Sequence, residues 1–377
     1  MTLRDRQRFG IDCLQARGNE IFILDMSALL HPELPSHSNE PAAERDVEVR
    51  RVASWSEFRA AESALAQATV IFFLIQSFGL SMATLRPLRS LRRVQVPYLT
   101  LAPNTYPRAE MPNIAWRSIK SLARRLGEAN LANSVLSRTP LDLLGIDQAR
   151  WHVVNGTASR QQNSLVGPHT KLIETGSQDF DIWLDLRHRR LGMREEAVFI
   201  DQFMPHHPDA IAVGRAGALE PSAYFAGLSQ YFDWLEKTRD LSVVIAAHPR
   251  ADYERRGNPF GGRRIVYGKT PELIADSRLV LAHHSTAIGL AVMFRKPVAV
   301  LTSDSLMSYI AHHRAVYLGF SDALQTPLVY LNRPDCWSRT DGLTVNEETY
   351  RRYESRFIRA PGSPERKMWE IVADAIS

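Results

Sequence analysis

The chain has 377 residues, of which 45% are hydrophobic and 23% charged, close to the balance of an average globular protein. That excludes a disordered chain, a collagen, a coiled coil and a disulfide scaffold, and the length suits two domains of roughly 100–200 residues each. The 46 Lys plus Arg against 41 Asp plus Glu leave a formal charge of +5, compatible with anionic substrates or an acidic membrane surface but too weak to argue for nucleic acid.

Short apolar, β-branched runs alternate with stretches of helical period. The first half offers strands at Glu20–Met26, Asp46–Val52, Thr69–Ile75, Val94–Leu101 and His152–Asn155. The run Thr69–Leu80 is too short to cross a bilayer of about 30 Å as a helix and reads as a buried strand followed by a loop. Trp116–Leu126 interleaves Arg117, Lys120, Arg124 and Arg125 with apolar residues, which suits a solvated helix face or a helix resting on an anionic membrane. The charged run Leu186–Glu196 marks a boundary.

The second half offers strands at Ala197–Asp201, Ser242–Ala247, Arg264–Tyr267, Leu279–Ala282 and Pro297–Leu301. Their apolarity is continuous, as in VVIAA and LVLA, which is expected of parallel strands covered on both faces by helices. Helices are expected over Pro221–Asp240, over Thr270–Ser277 with Thr270 as N-cap and Pro271 at N1, and over Thr286–Phe294. The fold class is therefore α/β, with two doubly wound Rossmann-like domains over residues 1–190 and 191–345 and a helical segment over 346–377. The last stretch, Glu365–Ile376, has an apolar face that is expected to cross back onto the first domain.

Cys13 and Cys336 form neither a CxxC pair nor a metal-ligand array, which points to a reducing compartment. The N-terminal run MTLRDRQRFGIDC has charges but no apolar stretch or small-residue cleavage site, so no signal peptide is expected there. A cytoplasmic protein follows, with peripheral contact at the inner face of the membrane as the role for the basic helix.

Two loops carry the chemical signal. In Ser242-Val-Val-Ile-Ala-Ala-His248-Pro249-Arg250 a buried strand ends in a histidine, and Pro249 stops the ladder because it lacks an N–H. His248 thus sits at the rim where open α/β sheets bind ligands, although a strand-end histidine also serves to bond a neighbouring loop. In Leu279-Val-Leu-Ala-His283-His284-Ser285-Thr286 a second strand runs toward a helix through adjacent hydroxyls, suited to a phosphate or to plain helix capping.

This pairing resembles the GT-B glycosyltransferases that use CMP-activated sugars, namely the bacterial sialyltransferases, the polysialyltransferases and the Kdo transferases. The resemblance covers the C-terminal half, with PELIADSRLVLAHHSTA at its centre, and Thr286 departs from the usual second serine of the pair. It implies a GT-B fold with acceptor bound by the first domain and donor by the second. It further implies that His248 contacts the nucleotide and its phosphate while Ser285 and Thr286 hold that phosphate. The nucleotide-binding candidates are then Pro249, Arg250, Lys269, Thr270, His284, Ser285 and Thr286.

The physics suits such a donor. One phosphate on a departing CMP needs a few convergent donors and no divalent metal, whereas a diphosphate calls for more cationic help, from a metal or from Arg250, Arg263 and Lys269. A base is also needed for the acceptor hydroxyl. The acidic Asp/Glu-Asp/Glu-Gly motif of the sialyltransferases is absent, so Asp201, ending a strand, is the expected base. Asp25 is a candidate from the acceptor side, with Glu174 and Asp181 behind it.

The cluster His206-His207-Pro208-Asp209, with His283 and His284, invites a metal-dependent hydrolase, but adjacent histidines rarely ligate one ion together and no HExxH pattern is present. Asp179-Phe-Asp181 is formally a DxD, an inexpensive match that the two-block layout discounts. The expectation is a metal-independent glycosyltransferase with no cofactor. It would move an acidic sugar such as Kdo or a sialic-acid-like nonulosonate from CMP to a hydroxyl of a glycan or lipid-linked glycan, in lipopolysaccharide or capsule synthesis, with domain closure excluding water. The rivals are the same fold on a UDP- or CDP-linked donor, including an epimerase or polyol-phosphate transferase, a metal-dependent hydrolase, and a binding subunit without turnover.

Overall fold

The computed structural model describes residues 3–30, 46–74, 80–102, 105–110, 135–136, 138–160, 163–189, 192, 194–207, 217–309 and 313–376. In the first part β1 (Phe22–Asp25) pairs in parallel with β2 (Glu48–Arg51). Then β3 (Ile71–Phe73), β4 (Tyr98–Leu101), β5 (Trp151–Asn155) and β6 (Lys171–Thr175) form a parallel sheet in that order. The expected strand beginning at Val94 starts later, because Val94 ends the helix Met82–Val94 and Gln95 takes a left-handed turn.

The second part holds β7 (Glu196–Ile200), β8 (Ser242–Ala246), β9 (Ile265–Val266), β10 (Leu279–Ala282), β11 (Val298–Thr302) and β12 (Leu328–Tyr330). They form a six-stranded sheet in the order β12-β11-β10-β7-β8-β9, every pair parallel. Counted from β7 this is the 3-2-1-4-5-6 order of a doubly wound sheet, whose direction of growth reverses between β7 and β10. All four residues of β10 and all five of β11 are buried, as their continuous apolarity requires.

The helix Pro221–Arg239 shows why the segments fold as they do. Glu220 caps it by accepting the Ser222 and Ala223 N–H groups, and Pro221 occupies the first turn where its missing N–H is harmless. Tyr224, Leu228, Tyr231, Phe232 and Leu235 recur on one face and are all buried. Each such side chain contributes about 1.5–3 kcal/mol by leaving water.

The C-terminal stretch joins both halves. Tyr350, Tyr353, Phe357 and Ile358 pack into the core of the second sheet, and the Tyr350 hydroxyl donates to the Lys296 carbonyl at 2.8 Å. The chain then crosses, with Gly176 and Arg359 forming an antiparallel bridge and the Ser177 N–H donating to the Ile358 carbonyl at 2.9 Å. The last helix, Met368–Ile376, buries Met368, Trp369, Val372 and Ala373 against Leu99, Leu101, Val153 and Ile173. The apolar face expected to cross back does so.

Two helix starts differ from expectation. Thr270 does not cap its helix: Lys269 is the N-cap residue, without a side-chain bond, and Thr270 lies inside the first turn. The helix expected from Thr286 begins at Ile288, because Ser285 Oγ accepts the Ala287 N–H at 3.2 Å and keeps those residues in a turn. The basic stretch Trp116–Leu126 lies outside the described residues, and among the described residues no helix is long and apolar enough to cross a membrane.

Candidate functional site

The strand order places the chemically loaded loops side by side. Along the C-terminal edge of the second sheet run, in turn, Ser285–Thr286 after β10, Asp201–Gln202 after β7, His248–Arg250 after β8 and Lys269–Thr270 after β9. The crevice of a doubly wound sheet opens where the winding reverses, here between β7 and β10. Gln202 spans it, its Oε1 accepting the His284 N–H at 3.1 Å. Sequence reasoning missed Gln202; its position directly after a strand-end acid was the one available signal.

His248 is partly buried, and its Nδ1 accepts the Arg250 N–H at 3.1 Å. A ring nitrogen that accepts a backbone N–H carries no proton, so the neutral imidazole bears its hydrogen on Nε2, a donor for an anionic oxygen. The His207 ring stands edge-on to that of His248, with centroids 5.0 Å apart. Pro249 and Arg250 are exposed. Ser285 is partly buried and Thr286 exposed, and their carbonyls accept the Ile288 and Gly289 N–H groups at 3.2 and 2.9 Å. Lys269, exposed, faces Glu272 of its own helix at 3.6 Å.

Asp201 is 3% exposed, its Oδ1 accepts the Phe203 N–H at 2.9 Å, and its Oδ2 accepts both the His248 N–H at 3.3 Å and the Tyr253 hydroxyl at 2.9 Å. Burial lifts its carboxyl from 3.8 to about 6, opposed by those hydrogen bonds. A carboxylate so enclosed, with three donors on its oxygens, holds the His248 loop in place. Tyr253, missed by sequence reasoning, completes this latch from the short helix Tyr253–Arg256 after β8, and burial, then the neighbouring Asp201, raise its pKa and hold its hydroxyl protonated.

The other acids are also occupied. Asp25 accepts the Ser27 N–H at 3.0 Å and faces Arg51 across the β1–β2 pair at 3.9 Å. Glu174 pairs with Arg160. Asp181 accepts the Met368 N–H at 2.9 Å, securing the last helix, and burial raises its carboxyl to about 7.

The histidine cluster does not converge. His283 is 0% exposed; its Nδ1 donates to the Leu301 carbonyl at 2.8 Å and its Nε2 accepts the Tyr224 hydroxyl at 2.9 Å. Burial lowers its pKa to about 4, so it is a neutral structural group with both nitrogens engaged. His284 packs its ring 4.1 Å from that of His313, and Pro208 and Asp209 lie outside the described residues. Among the described residues no group of three His, Cys, Asp or Glu side chains stands close enough to hold a metal ion.

Two cavities lie near the crossing of the C-terminal stretch. One of about 310 Å³ is lined by Asp322, Gln325, Arg352, Tyr353 and Arg356. The other, about 10 Å³, lies between the halves and is lined by Thr105, Tyr106, Ser177, Asp179, Thr286 and Gly289.

No family profile and no curated protein matches the chain. Among solved structures it is similar to the calicheamicin glycosyltransferase CalG4, with 14% identity, 96% of this chain and 91% of that one covered, and a TM-score of 0.51. It is also similar to the wall teichoic acid polymerase TagF in a variant form, with 10% identity, coverage of 98% and 84%, and a TM-score of 0.51. A UDP-GlcNAc 2-epimerase from Methanocaldococcus jannaschii aligns at 10% identity, with coverage of 94% and 91% and a TM-score of 0.47. Likeness at such identities concerns the fold, and with the two parallel sheets and the returning C-terminal helix it gives the chain a GT-B fold of two Rossmann-like domains.

Proposed function

We propose that the protein is a glycosyltransferase that takes its sugar from a nucleotide donor seated on the C-terminal edge of the second sheet. The observation that carries this reading is the alignment of Ser285–Thr286, Gln202, His248 and Lys269 along that edge, across the reversal of winding between β7 and β10. The hydroxyls of Ser285 and Thr286 grip the phosphate, and His248 Nε2–H donates to the oxygen that gains charge as the nucleotide departs. Asp201 and Tyr253 keep the His248 loop in register from behind. A glycan or lipid-linked glycan hydroxyl comes from the side of the first domain.

A CMP-linked acidic sugar is the donor of choice, since a single phosphate matches the two hydroxyls and one imidazole. A UDP- or CDP-linked donor is the second reading, favoured by Arg250 and Lys269 on the same edge. Thermal melting with CMP, UMP, CDP, UDP and GDP, each in EDTA and in Mg²⁺, separates them, because a ligand of the native state raises the melting temperature. CMP is expected to stabilise selectively in EDTA, with affinity falling about 10- to 100-fold in Ser285→Ala, the worth of one charge-assisted hydrogen bond. His248→Ala is expected to weaken binding as well. Preference for a diphosphate overturns the donor, and no response to any nucleotide overturns the enzyme.

A further inference from the structure

Asp179 differs from Asp25, Glu174, Asp181 and Asp201. It follows β6 of the first sheet at the start of the helix Gln178–Leu186, whose first turn is already capped by Ser177 Oγ accepting the Phe180 N–H. The helix start therefore has no need of Asp179. Among the described residues no hydrogen bond or ion pair reaches its carboxylate, unlike those of Asp25, Glu174, Asp181 and Asp201. It lines the small cavity between the domains, with Thr286 of the proposed phosphate turn on the same wall.

The turn after β10 is shaped around it. A Cβ on Gly289, in the first turn of the helix Ile288–Met293 that follows that turn, would stand 2.6 Å from Asp179 Oδ2, so any larger residue there would push the carboxylate aside. Gly289 has no left-handed backbone to account for it; closeness to the acid is the reason. The space left is about 10 Å³, room for one water or one hydroxyl. Burial also lifts this carboxyl to about 7, the range of a proton acceptor at neutral pH.

We propose that Asp179 is the catalytic base of the transfer, receiving the proton of the acceptor hydroxyl beside Thr286; this rests on the glycosyltransferase reading above. The acceptor O–H proton passes to an Asp179 carboxylate oxygen, and the acceptor oxygen forms its bond to the anomeric carbon of the donor. The bond from that carbon to the phosphate oxygen breaks, its electron pair leaving on the nucleotide. An acid whose carboxylate takes no hydrogen bond or ion pair among the described residues, facing a hydroxyl-sized space beside the proposed phosphate turn, is placed for that step.

Asp179→Asn tests it, because the amide keeps the shape and removes both the charge and the basicity. The full chain is assayed for nucleotide binding by thermal shift and for nucleotide release from CMP-sialic acid and UDP-N-acetylglucosamine, water standing in for the acceptor. The variant is expected to melt at or above the wild-type temperature, to bind nucleotide within about threefold of wild type, and to lose about 100- to 10,000-fold in kcat. A kcat within threefold of wild type overturns the base, and so does a variant that melts well below wild type, since the acid would then be structural. A wild-type protein that binds nucleotide and releases none from either donor also overturns the base, whereas one that binds no nucleotide overturns the donor site first.

Discussion

Asp201→Ala removes an acceptor on which three donors converge from two stretches of chain. The Phe203 N–H, the His248 N–H and the Tyr253 hydroxyl would be left in a site that is 3% exposed, and each stranded donor costs about 1–3 kcal/mol. Against this, the variant is relieved of a carboxyl lifted from 3.8 to about 6, an effect of about 3 kcal/mol at neutral pH. The stranded donors outweigh that relief, and the expected net loss is about 3 kcal/mol at pH 7.5. The sign of its pH dependence follows from the raised folded-state value. Asp201 favours folding fully below pH 3.8, and that contribution is lost as pH rises through about 6. The alanine variant has no such group, so its deficit is expected to be about 1 kcal/mol larger at pH 5 than at pH 7.5. Urea unfolding of both proteins at the two pH values, followed by tryptophan fluorescence, measures it. A deficit that is equal at both, or smaller at pH 5, refutes the picture of a carboxylate held against burial to latch the His248 loop.

Two further outcomes bear on the scaffold. Trp369→Ala is expected to cost about 3–5 kcal/mol, because the ring is buried, stacks on Phe72 at 5.6 Å and donates to the Arg8 carbonyl; limited proteolysis should then cut first within the first domain, and an unchanged pattern would contradict the role of the last helix. Tyr224→Phe keeps the ring but leaves His283 Nε2 without its donor, and a loss of about 1–2 kcal/mol in thermal melting is expected; no change would mean that the buried imidazole finds another partner.

What the sequence exposes and conceals follows from the range of the interactions. Interior strands were legible because a parallel strand covered on both faces must be apolar throughout, as in β8, β10 and β11. The two strands that escaped, β6 and β12, are edges: Lys171 and Leu172 face solvent, and β12 has three residues. The placement of His248 and of Ser285–Thr286 needs only local information, a strand followed by a polar turn. The state of each acid does not. Whether Asp201 is open or enclosed depends on Tyr253, 52 residues away. The contact between Asp179 and Gly289 brings together residues far apart in the chain, and a lone glycine in an apolar helix carries no mark of what presses on it.

The returning C-terminal helix also bears on the order in which the molecule can be built. On a ribosome the strands β4 to β6 emerge on the order of 200 residues before Trp369 and Val372, which is roughly 10–40 s at ordinary elongation rates. For that interval the face lined by Leu99, Leu101, Val153 and Ile173 has only Leu14 and its neighbours over it and lacks the last helix. The first half of the chain must therefore wait, exposed and prone to association, for the far end of the polypeptide. Damage or fusion at residues 368–376 should reduce the yield of soluble protein by acting on a domain finished long before them.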